Sequence, residues 1–282
     1  MTLRNFFLAS VGVFGVCLIG AGCSKPVPPA EPPITQGPEA TSTLQTTLKT
    51  LPFIPGDSFE IWPPGVSSSS TGELPVRVLI DRFAPRNHAG LSWRLGSATG
   101  SLSQIDLAQT HILILPAFWT KGSRDLVNAV SAIWLTDDAY QAVNLTQQLI
   151  LDTGLQEASA KASIKKMVPG SATMWDRIVE QIAVAQQKTD VNFVLGVERI
   201  AWPIQNNGRA ETVPAMRIRN WFGEMIVLDD RDNPMILQFT FDPKTDTKTV
   251  DKSSKAFLAL KKALSYRIDT VFTHLALQPK GE

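Results

Sequence analysis

Apolar and polar positions alternate most clearly between Thr212 and Pro243. Two apolar runs, GEMIVL and MILQFTF, flank the polar cluster Asp229-Asp230-Arg231-Asp232-Asn233-Pro234. Asp and Asn side chains bond nearby backbone and Pro presets φ, so the cluster predicts a turn. Leu237, Phe239 and Phe241 alternate with Gln238 and Thr240, the period of a strand with one buried face. This stretch is expected to form the central hairpin of an antiparallel sheet.

The same reading extends along the chain. Val76, Val78 and Ile80 alternate with Arg77, Leu79 and Asp81, which predicts a strand over Pro75 to Phe83. Ser58 to Trp62 lies among prolines and reads as a short edge segment, because Pro is tolerated at edges. Pro85 to Gly100 reads as a loop with a short extended piece at Leu91 to Leu95. His111 to Trp119 (HILILPAFW) is continuously apolar, the mark of a strand buried on both faces. Asp125 to Ala132 has helical spacing and Ala132 to Leu135 looks extended. Thr136 then caps a short helix over Asp137 to Val143, with acidic residues in its first turn. Gln147 to Asp152 predicts a strand and Gln156 to Met167 a helix. Met174, Ile178, Ile182 and Ala185 step by about four, which predicts an amphipathic helix over Ala172 to Gln187 capped near Ser171. Val191 to Ile204 returns to strand. Asn206-Asn207-Gly208 is a hairpin signal, since Asn and Gly accept positive φ. Thr212 to Arg219 pairs back and Asn220 to Gly223 turns. Ser254 to Leu264 is a helix with Phe257, Leu260 and Leu264 on one face, and Tyr266 to Leu277 is a last strand. Strands outnumber helices and hairpins join them. The expected class is α+β: a mainly antiparallel, curved β-sheet with a few packed helices.

Composition narrows the function classes. The 282 residues are 44% hydrophobic and 19% charged, with 27 Lys plus Arg against 26 Asp plus Glu, a formal net charge of +1. A neutral chain without a long basic run has no electrostatic footprint for nucleic acid. Cys17 and Cys23 are the only cysteines and both precede residue 24. The body therefore holds no disulfide and no thiolate metal site, and packing alone must stabilise it. His88, His111 and His274 lie far apart and in no metal-ligand spacing.

The beginning of the chain changes the picture more. Arg4 precedes an apolar run from Phe6 to Ile19, which small residues follow. These are the parts of a secretory signal, and the run is short of the roughly 20 apolar residues a stable span needs. Its end, Leu18-Ile19-Gly20-Ala21-Gly22-Cys23, resembles the lipobox of bacterial lipoproteins, with Gly20 where that family most often has Leu. The resemblance implies cleavage before Cys23, a diacylglycerol on its thiol and an acylated new amine. Ser24 stands where enterobacterial lipoproteins retained in the inner membrane carry Asp. That implies the bacterial envelope, and the outer membrane facing the periplasm. From Ser24 to Thr50 the chain is rich in Pro, Thr and Ser and too poor in large apolar groups to fold. The expected organisation is a signal at 1–22, a tether at 23–50 and a single β-rich domain at 51–282.

Three segments carry a second resemblance. IWLTDDAYQAV (Ile133 to Val143), NGRAETVPAM (Asn207 to Met216) and GEMIVLDDRDNPMILQF (Gly223 to Phe239) resemble a group of bacterial lipoproteins without an established activity. Their shared pattern is a serine-tryptophan strand with a short helix, an Asn-Gly hairpin and an aspartate-rich turn ending in Asn-Pro. The likeness spans about half of the folded region and implies compartment and fold only.

Candidate chemistry is sparse. Asp152-Thr153-Gly154 after Leu149-Ile150-Leu151 matches the Asp-Thr-Gly signature of retropepsin-like aspartic peptidases, in which two Asp share a proton. Leu155 follows where those enzymes place a small residue, and Val194-Leu195-Gly196 could mimic their framing segment. The alternative is an ordinary turn at a strand end. Asp229, Asp230, Asp232 and Asn233 could hold a hard cation such as Ca²⁺ or form a solvated turn. Gly96-Ser97-Ala98-Thr99-Gly100 puts Ala at the nucleophile position of a serine-hydrolase elbow, and no dinucleotide or P-loop motif occurs, so no cofactor is expected. His111 opens an apolar strand and reads as a core or edge histidine. Seven tryptophans, Trp62, Trp93, Trp119, Trp134, Trp175, Trp202 and Trp221, are scattered over separate elements; core packing explains most, and a subset could line a groove for glycan or lipid. Together these features favour a non-catalytic envelope lipoprotein, anchored through Cys23, that binds an envelope protein, peptidoglycan or an apolar ligand. A carrier of a hydrophobic ligand, of the lipoprotein-localisation type, and the aspartic peptidase are the alternatives.

Overall fold

Asn207 and Gly208 both take positive φ (51° and 77°) and join two eleven-residue strands, Gly196–Asn206 and Arg209–Arg219, in unbroken antiparallel register. This is the two-residue hairpin that an Asn-Gly pair encodes. The computed structural model containing it describes residues 49–63, 74–108, 129–130, 133–147, 168, 170–187, 196–221, 223–246, 248–274 and 278–279. All of these lie in the unit Thr46–Glu282, one of two into which the chain divides; the other is Met1–Gln45.

Within it the strands are β1 (Lys49–Thr50), β2 (Ser58–Trp62), β3 (Val76–Ala84), β4 (His88–Leu95), β5 (Ala98–Asp106), β6 (Ala129–Val130), β7 (Gly196–Asn206), β8 (Arg209–Arg219), β9 (Gly223–Leu228), β10 (Ile236–Phe241), β11 (Tyr266–Phe272) and β12 (Gln278–Pro279). The helices among the described residues are α1 (Asp137–Leu145), α2 (Ala172–Gln187) and α3 (Lys255–Leu264). None is long and apolar enough to cross a membrane.

Strands β7 to β11 close into a ring. Each pairs with the next, and β11 returns to β7. Successive pairs are antiparallel, so five strands in a ring must contain one parallel joint. That joint is β11–β7, at Thr270↔Gln205 and Val271↔Asn206. Strand β2 pairs antiparallel along one edge of β11, while β10 and β7 divide the other edge, β10 at Tyr266–Arg267 and β7 at Thr270–Val271. From β2 the sheet continues outward through β3, β4, β5 and β6, the last pair again parallel. The protein is thus β-rich with few helices, as the pattern predicts, but the sheet is mixed and partly closed rather than uniformly antiparallel.

Register sorts the ring's side chains. Tyr266, Phe239, Met225 and Ile218 are directly opposite one another on successive strands and all are buried. The adjacent row, Arg267, Gln238, Ile226, Arg217 and Glu198, is mostly polar and, apart from the buried Ile226, half-buried or exposed. The alternation is the period-2 rule applied around a closed surface. Helix α3 packs against β10 and buries Phe257, Leu260 and Leu264, with Ser254 capping it by accepting from the Phe257 N–H. A second cluster joins the ring to the outer strands: Trp134 packs edge-on to Phe59 (6.3 Å between ring centres) and beside Phe83 (5.8 Å), and Phe53 touches both phenylalanines.

Several expectations need correction. Ser58–Trp62 is not an edge; β2 is hydrogen-bonded on both sides, because the neighbouring prolines lie just outside the strand. In Pro85 to Gly100 the extended piece at Leu91 to Leu95 falls within a strand, but the rest is not the expected loop. The segment holds β4 and the start of β5, joined by turns in which Arg86 and Gly96 take positive φ. Strand β4 buries Ala89, Leu91 and Trp93, and the Trp93 indole lies over Gly100 of β5, where a Cβ would overlap it. Ala129–Val130, placed in a helical stretch by spacing, pairs with β5. The end of the tether, Lys49–Thr50, pairs with β12. Helices α1, α2 and α3 and the hairpins β7–β8 and β9–β10 sit where the pattern puts them, to within a few residues. The expected elements at His111 to Trp119, Gln156 to Met167 and most of Gln147 to Asp152 lie outside the described residues.

Two substitutions test this packing. Gly223 (φ 153°) begins β9 against the Thr240 carbonyl oxygen, which an added Cβ would overlap. Gly223→Ala is expected to lower stability by about 2 kcal/mol or more in denaturant unfolding. Burial drives the Tyr266 hydroxyl well above its ordinary pKa, and it has no hydrogen-bond partner among the described residues. Tyr266→Phe is therefore expected to leave stability unchanged or raise it by about 1 kcal/mol.

Candidate functional site

Most chemistry-bearing residues of the described chain are held in structural ties. In the aspartate-rich turn, Asn233 is 2% exposed and its amide is used on both sides. Its Oδ1 accepts the Trp134 indole N–H (2.7 Å) and its Nδ2 donates to the Leu51 carbonyl (2.6 Å). Asp229, also buried, accepts the Tyr140 hydroxyl (2.9 Å) and faces Arg199 at 3.4 Å. Burial, and then that hydrogen bond, push the Tyr140 hydroxyl well above its ordinary range. Asp230 caps the turn by accepting from the Asp232 N–H, and Asp232 pairs with Arg86 at 2.9 Å. Arg231 grips Asp137 with two N–H bonds, 2.7 and 2.9 Å. The acidic side chains thus point to different partners around the turn. The turn is a buried polar node joining α1, β7 and the aromatic cluster, not a merely solvated loop. Among the described residues no group of three or more His, Cys, Asp or Glu is placed to share a metal ion.

A second tie holds the start of the domain to the end of β11. Asp57, fully buried, accepts the Ile54 N–H on one oxygen. Its other oxygen meets both the backbone N–H (2.8 Å) and the ring Nδ1 (2.7 Å) of His274. Gly56, at φ 97°, leaves room for the imidazole edge. The dyad orients His274, whose side chain is 64% exposed.

The concave surface lies elsewhere, on the solvent face of β2 to β5. A cleft of about 440 Å³ is lined by Ser58, Arg77, Leu79, Ser92, Arg94 and Thr99, with Trp93 and Gly100 beneath. Its lining follows from register. Arg77, Arg94 and Thr99 are opposite one another on β3, β4 and β5; Ser58, Leu79 and Ser92 are opposite one another two residues along. Both rows fall on one face because they are two residues apart. The opposite face carries Phe59, Val78 and Trp93 into the core. The volume lies within the range of small-ligand sites.

The chain, compared with known proteins, matches no family model, no curated protein and no solved structure.

Cys23, Asp152, His111 and Trp119 lie outside the described residues, as do Val194 and Leu195. Of the tryptophans, Trp134 and Trp175 are fully buried core residues and Trp62, Trp93 and Trp221 are nearly so. Trp202 is half-buried on β7 with the Arg267 guanidinium 5.2 Å above its ring. Trp93 alone among them borders the cleft. Sequence reasoning missed the Arg77/Arg94 surface: it read Leu91 to Leu95 as extended but had no signal for its register against β3, which brings the two arginines together.

Asn233→Leu strands the Trp134 N–H and the Leu51 carbonyl and is expected to cost about 3 kcal/mol in chemical unfolding. The Arg231 hydrogen bonds hold the Asp137 carboxyl below the usual carboxylate range. A depressed folded pKa gives stability that is present above the unfolded value and lost as pH falls through the folded one. Arg231→Gln is therefore expected to raise the Asp137 titration midpoint toward that of an ordinary carboxylate, read by NMR, and to move this loss of stability to higher pH.

Proposed function

We propose that this protein is an envelope lipoprotein with a non-catalytic binding role, tethered through Cys23 and presenting the face of β2 to β5 to its ligand. The cleft is the observation that supports a binding role. It combines two guanidinium groups, three hydroxyls and an exposed leucine, a lining suited to recognition. The lipobox-like end of the leader and the Pro-rich segment after it support the anchor.

Metabolic labelling of the bacterial host with an alkyne palmitate analogue tests the anchor. The wild-type protein is expected to incorporate label and to partition with membranes, and Cys23→Ala to lose both. A Cys23→Ala protein that still takes up label and stays membrane-bound would overturn this reading.

A further inference from the structure

The cleft on β2 to β5 has an uneven charge pattern. Arg77 and Arg94 are directly opposite one another on adjacent strands. Like charges in that position repel across the pair, so the arrangement favours an anion that bridges or balances them. The two differ in what already surrounds them. Arg77 lies over the Phe272 ring at 4.5 Å and next to Glu60, its partner on β2. Arg94 faces Thr99, and its guanidinium has no hydrogen bond or ion pair among the described residues. Two further acids lie near this face: Asp81 accepts the Ser92 hydroxyl at 3.1 Å, and Asp269, beside Glu60, pairs with Arg267 at 3.5 Å. Reading across the sheet, the row is therefore Glu60, Arg77, Arg94, Thr99: negative at one end, positive in the middle, hydroxyl at the other.

This order selects a ligand chemistry. Each guanidinium presents a planar fork of N–H donors that matches a carboxylate. Glu60 lies beside Arg77 and Asp81 is tied to Ser92, so Arg94 is the guanidinium left to face a ligand, and a single carboxylate satisfies it. Burial raises the Glu60 carboxyl above its usual range, with Arg77 opposing that shift. The hydroxyls of Ser58, Ser92 and Thr99 both donate and accept, so they can pair with hydroxyl or amide groups of a ligand. Leu79, 42% exposed at the centre of the cleft, offers an apolar surface to C–H groups. A carboxylate, several hydroxyls and a C–H face occur together in an acidic sugar.

We propose that the cleft binds a carboxylate-bearing saccharide, its carboxylate gripped by Arg94 with Arg77 beside it and its ring over Leu79. This deepens the binding role given above and rests on it, but not on the anchor. Arg94 supplies the specificity for the acid. Leu79 and the three hydroxyls hold the sugar ring.

Isothermal titration of the full-length protein in detergent tests this with four probes: N-acetylmuramic acid, its neutral counterpart N-acetylglucosamine, lactate and inorganic phosphate. The acidic sugar is expected to bind at least tenfold more tightly than each of the others. Arg94→Gln is expected to weaken it about tenfold, and Leu79→Ser to weaken it less. Both positions are at the surface, and an unchanged circular dichroism spectrum and unfolding midpoint confirm that each variant folds. Equal binding of neutral and acidic sugars, equal binding of phosphate, an unchanged affinity in Arg94→Gln, or no binding of the acidic sugar overturns the proposal. Each of these results is independent of palmitate incorporation at Cys23, so the cleft and the anchor fail separately.

Discussion

One buried amide holds the two halves of this fold together. Asn233 sits at the end of the aspartate-rich turn, with its oxygen on the Trp134 indole and its nitrogen on the Leu51 carbonyl. A buried amide with unmet donors or acceptors is costly, so the three segments are held in one arrangement. Leu51 begins the domain, Trp134 anchors the aromatic cluster with Phe59 and Phe83, and Asn233 belongs to the hairpin β9–β10. The outer strands and the ring are thereby fixed to each other through side chains as well as through β11. The charged residues around Asn233 add outer ties: Arg231 to Asp137 of α1, Asp229 to Arg199 of β7 and Asp232 to Arg86 of the β3–β4 turn.

Closure of the ring explains why the remaining sheet is available for recognition. With five alternating strands a parallel joint is unavoidable, and β11 supplies it by sharing one edge between β10 and β7. Its other edge is left to β2, from which the sheet spreads outward. Strands in a ring have one face committed to the interior. The extension β2 to β5 instead buries Phe59, Val78 and Trp93 on one side and leaves Arg77, Leu79, Arg94 and Thr99 on the other. Gly100 lets the Trp93 indole lie flat across β5, so the core side is filled there without a large residue on that strand. The result is a rigid face, the kind of scaffold on which a polar site keeps its geometry.

Legibility in the sequence followed the range of the interaction. Thr136 and Ser254 cap helices, Asn207-Gly208 makes a two-residue hairpin, and Phe239 and Phe241 mark a buried face; each is settled within a few residues, and each reads directly from the chain. Of β4 only Leu91 to Leu95 read as extended, although Ala89, Leu91 and Trp93 alternate as buried residues, and β5 did not read, because Ala98-Thr99-Gly100-Ser101 holds no large apolar residue. The prolines around Ser58 to Trp62 suggested an edge, yet they fall outside the paired residues. The aspartate-rich turn read correctly as a turn, whereas its partners did not, since Tyr140, Arg199 and Leu51 are 89, 30 and 182 residues from the side chains they meet.

By itself, then, the sequence determined the secondary-structure periods, the tight turns, the helix caps and the strand-rich class, all of which depend on local backbone sterics and short-range hydrogen bonds. Only the tertiary structure decided that the strands close into a ring with a parallel joint, that Asn233 is a buried node, and that Arg77 and Arg94 share a cleft. Those outcomes depend on register between strands distant in the chain, and one residue of slip would move every side chain to the opposite face.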